Sequence, residues 1–334
     1  MRKTIKSCIL ACVLGSSIQA SAQVDPHFSQ YYVYPSFLNP ALTGAFDGSY
    51  RVAGIYRSQW GSVTSPYSTP GLAADFNTGK GMNFGGSILN QKAGDGGYNY
   101  TTAYASAAFT GVKFGDNGDQ HILFGMQAGI INRSFNPSKL SFGDQWNPIN
   151  GYNPGVPSAD VLKTNSATTF DVGAGAMYYD GRANRNANLY FGFSASHLTQ
   201  PKDPFSVGGN EKLPIRYTAH AGIRLKMGDN GSITPNALYM RQGNAEEKML
   251  GAYASLKAAE NTDFLFAANY RFEDAISPFV GFNYKNMTLG VSYDVNTSDL
   301  GKRVNGASSF EVSLTFIGKK KTRIKEENFF CPRL

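Results

Sequence analysis

The sequence predicts an all-β fold, namely a transmembrane β-barrel of about 14 antiparallel strands. The first observation behind this prediction is alternation, because the side chains of a strand point in turn to its two faces. The segment 307–318 alternates apolar Phe310, Val312, Leu314 and Phe316 with polar Glu311, Ser313 and Thr315. The segment 213–227 does the same. Polar faces that carry Arg, His or Lys suit a barrel lumen, with the apolar faces turned to lipid.

The second observation is the number of such segments. Turn residues divide the chain from residue 50 onward into fourteen candidate strands, and bacterial single-chain membrane barrels have an even number of strands. The predicted strands are residues 50–60, 67–78, 81–92, 98–114, 119–133, 167–180, 187–199, 213–227, 231–242, 246–258, 262–272, 276–285, 286–296 and 307–318.

The third observation is the length of the connections. Short turns rich in Gly, Asp and Asn alternate with connections that include three long ones, at 134–166, 200–212 and 297–306. Outer-membrane barrels have short periplasmic turns and longer outer loops, so we expect both chain termini to be periplasmic. A loop as long as 134–166 is more often functional or disordered than a simple connector.

The first 22 residues have the features of a cleaved export signal. Arg2, Lys3 and Lys6 precede a short apolar run at 9–18, and a small-x-small cleavage site ends at Ala22. The apolar run is too short for a transmembrane helix. A lipoprotein signal centred on Cys12 is the less favoured alternative. After cleavage at Ala22 only Cys331 remains, which predicts neither an intrachain disulfide nor a cysteine-based metal cluster.

The formal net charge of +7 is concentrated at the two ends of the chain. Three positive charges lie within 1–22, and six basic and two acidic residues give 319–334 a net charge of +4. The region between them is close to neutral. A nucleic-acid-binding protein needs a basic surface spread over a domain, so the charge distribution argues against nucleic acid as a partner.

Two segments flank the predicted barrel of residues 50–318. Residues 23–49 are rich in aromatic residues and proline, and we expect them to pack in or under the barrel, because these side chains are costly to leave in water. Residues 319–334 join a basic stretch to apolar anchors, which is the composition of a docking peptide. A disordered stub and a site for anionic lipid headgroups are the alternatives. The candidate partner-binding residues of this tail are Lys319, Lys320, Lys321, Arg323, Phe329, Phe330, Cys331 and Pro332.

The sequence lacks the spacing of a catalytic, cofactor or metal site. Its four histidines show no metal-binding spacing. Ser194, Ser196 and His197 are close in sequence, but neighbouring residues in a strand point to opposite faces. We therefore expect no enzyme activity and no cofactor. The arginines of the polar faces form either an open basic lumen or, as we favour, buried ion pairs with acids such as Asp171 and Asp294. The candidate polar residues of the lumen are Arg216, His220, Arg224 and Glu311.

The start of the expected mature chain resembles a known family. Residues 23–31 (QVDPHFSQY), residues 39–44 (NPALTG) and residues 56–60 (YRSQW) resemble the opening motifs of the PorP/SprF family, outer-membrane proteins of the type IX secretion system of Bacteroidota. The resemblance implies a component that works with the translocon and its periplasmic ring, and in gliding species with export of a surface adhesin. The candidate partner-binding residues of this region are Asp25, Pro26, Phe28, Ser29, Gln30, Tyr31, Asn39 and Pro40.

Three hypotheses follow for the function. The first is a non-enzymatic secretion component that supports export or surface attachment of a substrate protein and docks periplasmic partners at the outer membrane. The second is a fourteen-stranded channel for small or hydrophobic solutes, with residues 23–49 as a plug. The third is a barrel enzyme. The opening motif and the tail favour the first hypothesis, because a passive pore needs neither.

Overall fold

The structure, a computed structural model, describes residues 25–61, 65–94, 97–115, 117–158, 164–183, 185–202, 205, 212–298 and 308–318. The expected export signal and the basic tail lie outside these residues. Among the described residues, no helix combines the length and the apolar composition that a membrane-spanning helix requires.

Fourteen antiparallel strands close into a barrel, which confirms the predicted fold class. The strands are β1 (Tyr50–Gln59), β2 (Tyr67–Phe76), β3 (Met82–Ala93), β4 (Tyr98–Phe114), β5 (Gln120–Ser134), β6 (Trp146–Asn147), β7 (Gly151–Tyr152), β8 (Ser166–Asp180), β9 (Ala187–Ser196), β10 (Arg216–Lys226), β11 (Gly231–Gln242), β12 (Ala245–Ala259), β13 (Thr262–Arg271), β14 (Ala275–Tyr284), β15 (Met287–Asn296) and β16 (Ser309–Gly318). Each barrel strand pairs with its neighbours, and β1 pairs with β16 to complete the ring. A two-residue ladder of β6 and β7 lies apart from the barrel, within the long connection after β5.

The alternation in sequence becomes an alternation between the outside and the inside of the barrel. In β16 the apolar Val312 and Leu314 are 39% and 46% exposed, whereas Glu311 between the outward-facing residues is fully buried. The outer surface is therefore apolar, as a membrane barrel requires, and the lumen is lined by polar side chains.

Two predicted strands, 187–199 and 213–227, extend three residues beyond the observed ones at one end, for local reasons. Strand β9 ends at Ser196, because His197 adopts a left-handed backbone with φ 60° and leaves the ladder. The next strand, β10, begins at Arg216, and Pro214 just before it has no N–H to donate to a ladder. His197 consequently lies beyond the strand end.

The barrel has two distinct ends. We call the end where β1 begins and β16 ends the short-turn end, since its turns are brief, for example 260–261 between β12 and β13. The opposite end is the long-loop end, which carries the connections 135–165 and 197–215. In the first of these, Pro137–Lys139 and Gly143–Gln145 form single 3-10 turns.

Residues 25–49, the lumen segment, run inside the barrel along its axis. Their path contains a 3-10 turn at Tyr31–Val33, a single α-helical turn at Pro35–Leu38 and a second 3-10 turn at Pro40–Leu42. Asp25 contacts residues of the long-loop end, and the Ser49 amide donates to the Gly318 carbonyl at the short-turn end, 2.8 Å away. Asp25 and Gly318, the first and last described residues, thus lie at opposite ends of the barrel.

Candidate functional site

A cluster of buried charges holds the start of the lumen segment. We call Arg57, Arg271, Asp294 and Glu311 the clamp, since they converge on Ser29 from strands β1, β13, β15 and β16. Arg57 pairs with Glu311, and its Nη2 lies 2.9 Å from Asp294 Oδ2. Arg271 Nη2 also lies 2.9 Å from Asp294 Oδ2. Each buried charge therefore has an opposite charge beside it, as a dry interior demands.

Glu311 accepts hydrogen bonds from the backbone of the lumen segment in addition to pairing with Arg57. Its two carboxylate oxygens accept hydrogen bonds from the amides of Ser29 and Gln30, at 2.7 and 2.8 Å. The Gln30 side-chain carbonyl accepts a further bond of 2.6 Å from Ser313. Hydrogen bonds to an ionised acceptor are stronger than neutral ones, so this strand-to-backbone contact fixes the register of the lumen segment.

A second charged group lies where the lumen segment reaches the long-loop end. Asp25 Oδ2 is 2.9 Å from Arg216 Nη1 and 2.6 Å from His197 Nε2, and the other ring nitrogen of His197 is 2.8 Å from Asp171. Burial alone would raise the pKa of Asp25, but His197 and Arg216 hold it below its usual value. Burial would lower the pKa of His197, but its two acidic neighbours raise it to about 9.

Further along the lumen, hydrogen bonds and close packing continue the contact. The Asn39 amide donates to the carbonyl of Ala176, 3.0 Å away, and lies 3.3 Å from the His220 ring. A methyl group at lumen-facing Gly125 would overlap the backbone of Pro40, so only glycine admits the segment this closely. Near the short-turn end, Asp75 accepts from the Gly44 amide and pairs with Arg51.

Aromatic packing fills the space between these polar contacts. Phe28 and Tyr34 of the lumen segment are both 2% exposed and pack edge to face, with ring centroids 5.9 Å apart. Tyr32 packs edge to face on Tyr253 and Phe279 of the barrel wall. A large aromatic surface is thus removed from water inside the barrel.

The long-loop end of the lumen contains a cavity of about 320 Å³, which we call the mouth cavity. It is lined by Asp25, Pro26 and three clamp residues (Arg57, Arg271 and Asp294), and its apolar lining includes Trp60, Met240 and Phe272. Its lining includes six carboxylates and four guanidinium groups. The carboxylate of Glu247, whose side chain is 10% exposed, lines this cavity as well.

The structure places the residues predicted from sequence in two groups. In the opening motif, Asp25, Pro26, Phe28, Ser29, Gln30, Tyr31, Asn39 and Pro40 are all buried. Among the polar lumen residues, Arg216, His220 and Glu311 are buried inside the barrel, and Arg224 is half-buried on the same face of β10. The tail residues Lys319, Lys320, Lys321, Arg323, Phe329, Phe330, Cys331 and Pro332 lie outside the described residues.

Sequence reasoning missed three residues of this site. Arg271 and Glu247 lie on the polar faces of β13 and β12, and alternation along each strand was the signal that could have found them. His197 could not be found in this way, because its inward direction depends on the left-handed backbone beyond β9. In the part of the chain that the structure describes, no group of three or more His, Cys, Asp or Glu side chains is arranged to hold a metal ion.

Comparisons with known proteins show the fold and the family. The barrel is similar to the crystal structure of the Ralstonia pickettii toluene transporter TbuX, with a TM-score of 0.52 and 12% identity over 84% of this chain and 92% of that one. It is also similar to the Pseudomonas putida toluene transporter TodX, with a TM-score of 0.50 and 9% identity over 87% of this chain and 94% of that one. At these identities the likeness concerns the fold alone. No curated protein sequence matches this chain.

A family model gives the more specific relationship. The model described as type IX secretion system membrane protein PorP/SprF matches residues 20–316, which include the lumen segment and nearly all of the barrel. The chain belongs to the PorP/SprF family of type IX secretion system membrane proteins.

Proposed function

We propose that this protein is a non-enzymatic outer-membrane component of type IX secretion that holds partner proteins and does not conduct solutes. Family membership supports the secretion role. The observation that favours holding over conduction is the lumen segment, which occupies the barrel from Asp25 at one end to Ser49 at the other.

The lumen segment is bound too firmly for a plug that opens easily. Its removal would break the ion pair of Asp25 with Arg216 and the hydrogen bonds of Ser29 and Gln30 to Glu311, and would expose the aromatic packing of Phe28 and Tyr32. Breaking one buried ion pair costs about 3–5 kcal/mol, and burying one large apolar side chain is worth about 1.5–3 kcal/mol. The sum over the segment opposes opening by thermal motion.

The orientation we propose places the long-loop end outside the cell and the short-turn end in the periplasm, because outer-membrane barrels keep their short turns on the periplasmic side. Gly318 lies at the short-turn end. Residues 319–334 then emerge into the periplasm, where we propose that they dock the translocon or its ring. The outer end is where the protein supports export or surface attachment of its substrate, for example a gliding adhesin.

Truncation of the tail tests the periplasmic part of this function. A chain that ends at Gly318 is expected to insert as a folded barrel, since all fourteen barrel strands are complete, but to lose secretion of the cognate substrate and co-purification of periplasmic partners. Alanine replacement of Asn153, in the connection 135–165 at the opposite end, serves as the control. Normal secretion by the truncated protein would show that the tail has no docking role.

The channel hypothesis makes a different prediction. A fourteen-stranded channel for small or hydrophobic solutes would show single-channel conductance or solute uptake in planar bilayers and vesicles. We expect neither from the wild-type protein, and we expect deletion of the whole chain to abolish secretion of a specific protein. Steady conductance together with unchanged secretion would favour the channel.

A further inference from the structure

The mouth cavity has more negative than positive groups, although arginines are prominent in it. Three of its four guanidinium groups, those of Arg57, Arg216 and Arg271, each pair with a carboxylate of the lumen or the lumen segment. The fourth, Arg241, donates from Nε to the Gly243 carbonyl, 3.3 Å away. Of the six lining carboxylates, Glu246 also pairs with Lys248 and Asp25 with His197. Within the described part of the chain, Glu247 and Glu273 pair with no lysine or arginine, and these two acidic groups match the cavity to a cation.

Of these acidic groups, Glu247 has a carboxylate oxygen that is buried. Within the described residues, its Oε1 is buried and accepts no hydrogen bond. Its Oε2 lies 3.9 Å from His27 Nδ1. A buried acceptor without a donor is costly. A rotation of the Glu247 carboxylate that turns Oε1 to the cavity would let a ligand donate to it and would remove that cost.

The apolar residues that line the cavity indicate that the uncharged part of the ligand is also apolar. Trp60, Met240 and Phe272 offer apolar and aromatic surface beside the carboxylates. A flexible aliphatic stem packs against such a surface while its charged head reaches a carboxylate, and aromatic rings also attract cations. A volume of about 320 Å³ lies at the lower end of small-ligand sites, which suits one long side chain and not a folded domain.

We propose that the mouth cavity binds a Lys or Arg side chain of a polypeptide docked at the long-loop end, with Glu247 as the acceptor of its charged head. The choice of a polypeptide rests on the proposed secretion function; the choice of a cation on an aliphatic stem rests on the cavity alone. The mouth cavity is then the site at which the protein recognises a basic residue of its partner.

Binding in the purified, folded protein tests this proposal separately from secretion. The chain has two tryptophans, so a W146F variant leaves Trp60, in the cavity wall, as the fluorescent reporter. The probes are agmatine, a four-carbon stem with a guanidinium at one end and an ammonium at the other; N-butylurea, a neutral urea on a four-carbon stem; and the capped tripeptide acetyl-Gly-Arg-Gly-amide, which carries one guanidinium. We expect saturable binding of agmatine and of the tripeptide, and no binding of N-butylurea at the same concentrations.

Two variants locate the acceptor. Glu247→Gln is expected to weaken agmatine binding roughly tenfold or more, because a hydrogen bond to a charged group is lost. Glu260→Gln, an exposed acid in a turn at the short-turn end, is expected to bind as the parent does. The heat-dependent gel mobility of each variant confirms that the barrel is folded. If Glu247→Gln does not fold, Glu273→Gln at the exposed rim replaces it, with a smaller expected loss.

Each other outcome overturns a defined part of the proposal. Absence of saturable agmatine binding, or equal binding of N-butylurea, rules out a cation site. Undiminished binding by the folded Glu247→Gln variant rules out Glu247 as the acceptor. Undiminished binding by Glu273→Gln, when it is used as the replacement, rules out the acidic lining as the basis of cation binding. Binding of agmatine without binding of the tripeptide shows that the ligand is a small free cation and not a polypeptide side chain.

Discussion

Single residues of the clamp do two tasks at once, and Glu311 shows this most clearly. It balances the charge of Arg57 and also accepts the amides of Ser29 and Gln30. A buried ion pair contributes little net stability compared with a well-packed apolar pair, but loss of one partner leaves a buried charge unbalanced. The cluster therefore specifies where the lumen segment sits more than it adds to the stability of the barrel.

We predict that Glu311→Gln loosens the start of the lumen segment. The substitution leaves Arg57 with only part of its compensation, and loss of one buried partner typically costs about 3–5 kcal/mol. Hydrogen exchange at the amides of Ser29 and Gln30 should become faster, while exchange in the barrel strands stays slow. Glu260→Gln is the matched control. Unchanged protection of both amides in the variant would show that Glu311 does not hold the segment.

The triad of Asp25, His197 and Arg216 predicts a pH dependence. The pKa of His197 is about 9 in the fold and 6.5 as the ordinary value. Its contribution to stability is therefore complete below pH 6.5 and is lost as the pH rises from 6.5 to 9. The lowered pKa of Asp25 acts in the opposite direction, because its contribution is present above 3.8 and is lost as the pH falls further.

The measurement is the midpoint of urea unfolding in detergent micelles at pH 6.5 and at pH 9. We expect the midpoint of the wild-type protein to fall over this interval. His197→Gln should begin lower and change less between the two pH values, whereas His121→Gln, in β5 and outside the triad, should keep the wild-type slope. The same slope in His197→Gln and in the wild type would contradict the role given to this ring.

At the scale of elements, the barrel wall and the lumen segment are adapted to each other through glycine. Strand β5 exposes Phe124 and Met126 to the outside and presents Gly125 between them to the lumen. The lumen segment passes this position at the start of its second 3-10 turn, where Pro40 begins the turn with its fixed φ. A strand glycine that weakens β propensity is thus retained where two backbones meet.

We predict that Gly125→Ala displaces the lumen segment at Pro40 and Ala41. The added methyl group would overlap backbone atoms that cannot rotate away, and such overpacking costs about 1–3 kcal/mol. Limited proteolysis and hydrogen exchange near Ala41 should increase. Gly54→Ala is the matched control, since its new Cβ would have 4.0 Å to the Leu314 carbonyl oxygen, its nearest neighbour. Equal behaviour of the two variants would exclude a close-packing role for Gly125.

At the scale of the whole molecule, the barrel is closed around a segment that precedes it in the chain. The lumen segment makes ion pairs or hydrogen bonds to β1, β10, β13, β15 and β16, which are widely separated in sequence. Such non-local contacts form late and slowly. We therefore expect the ring of strands and the lumen segment to be completed together.

The proposed orientation can be tested by labelling introduced cysteines in intact cells. In a Cys331→Ser background, a cysteine at Asn153 in the longest loop should react with a membrane-impermeant maleimide from outside. A cysteine at Asp229 in the turn between β10 and β11 should react only after the outer membrane is permeabilised. The opposite pattern would reverse the orientation, and with it the proposed periplasmic position of the tail.

The sequence by itself determined the wall of this protein. Period-two alternation and turn residues are local properties, so the fourteen barrel strands, their outward apolar faces and the placement of Glu311 and Arg216 in the lumen could be predicted from the residues alone. The opening motif identified the family for a different reason, because its residues are distinctive in themselves.

Only the tertiary structure decided what fills the lumen of the barrel. The path of residues 25–49 to the far end of the barrel, the meeting of Arg57 with Asp294 and Glu311, and the inward turn of His197 all join positions far apart in the chain. No local pattern encodes such partners. A buried charge is costly unless an opposite charge lies beside it, but that requirement does not specify which residue supplies the opposite charge. The choice is made by the register of the closed sheet, which brings strands β1, β15 and β16 side by side.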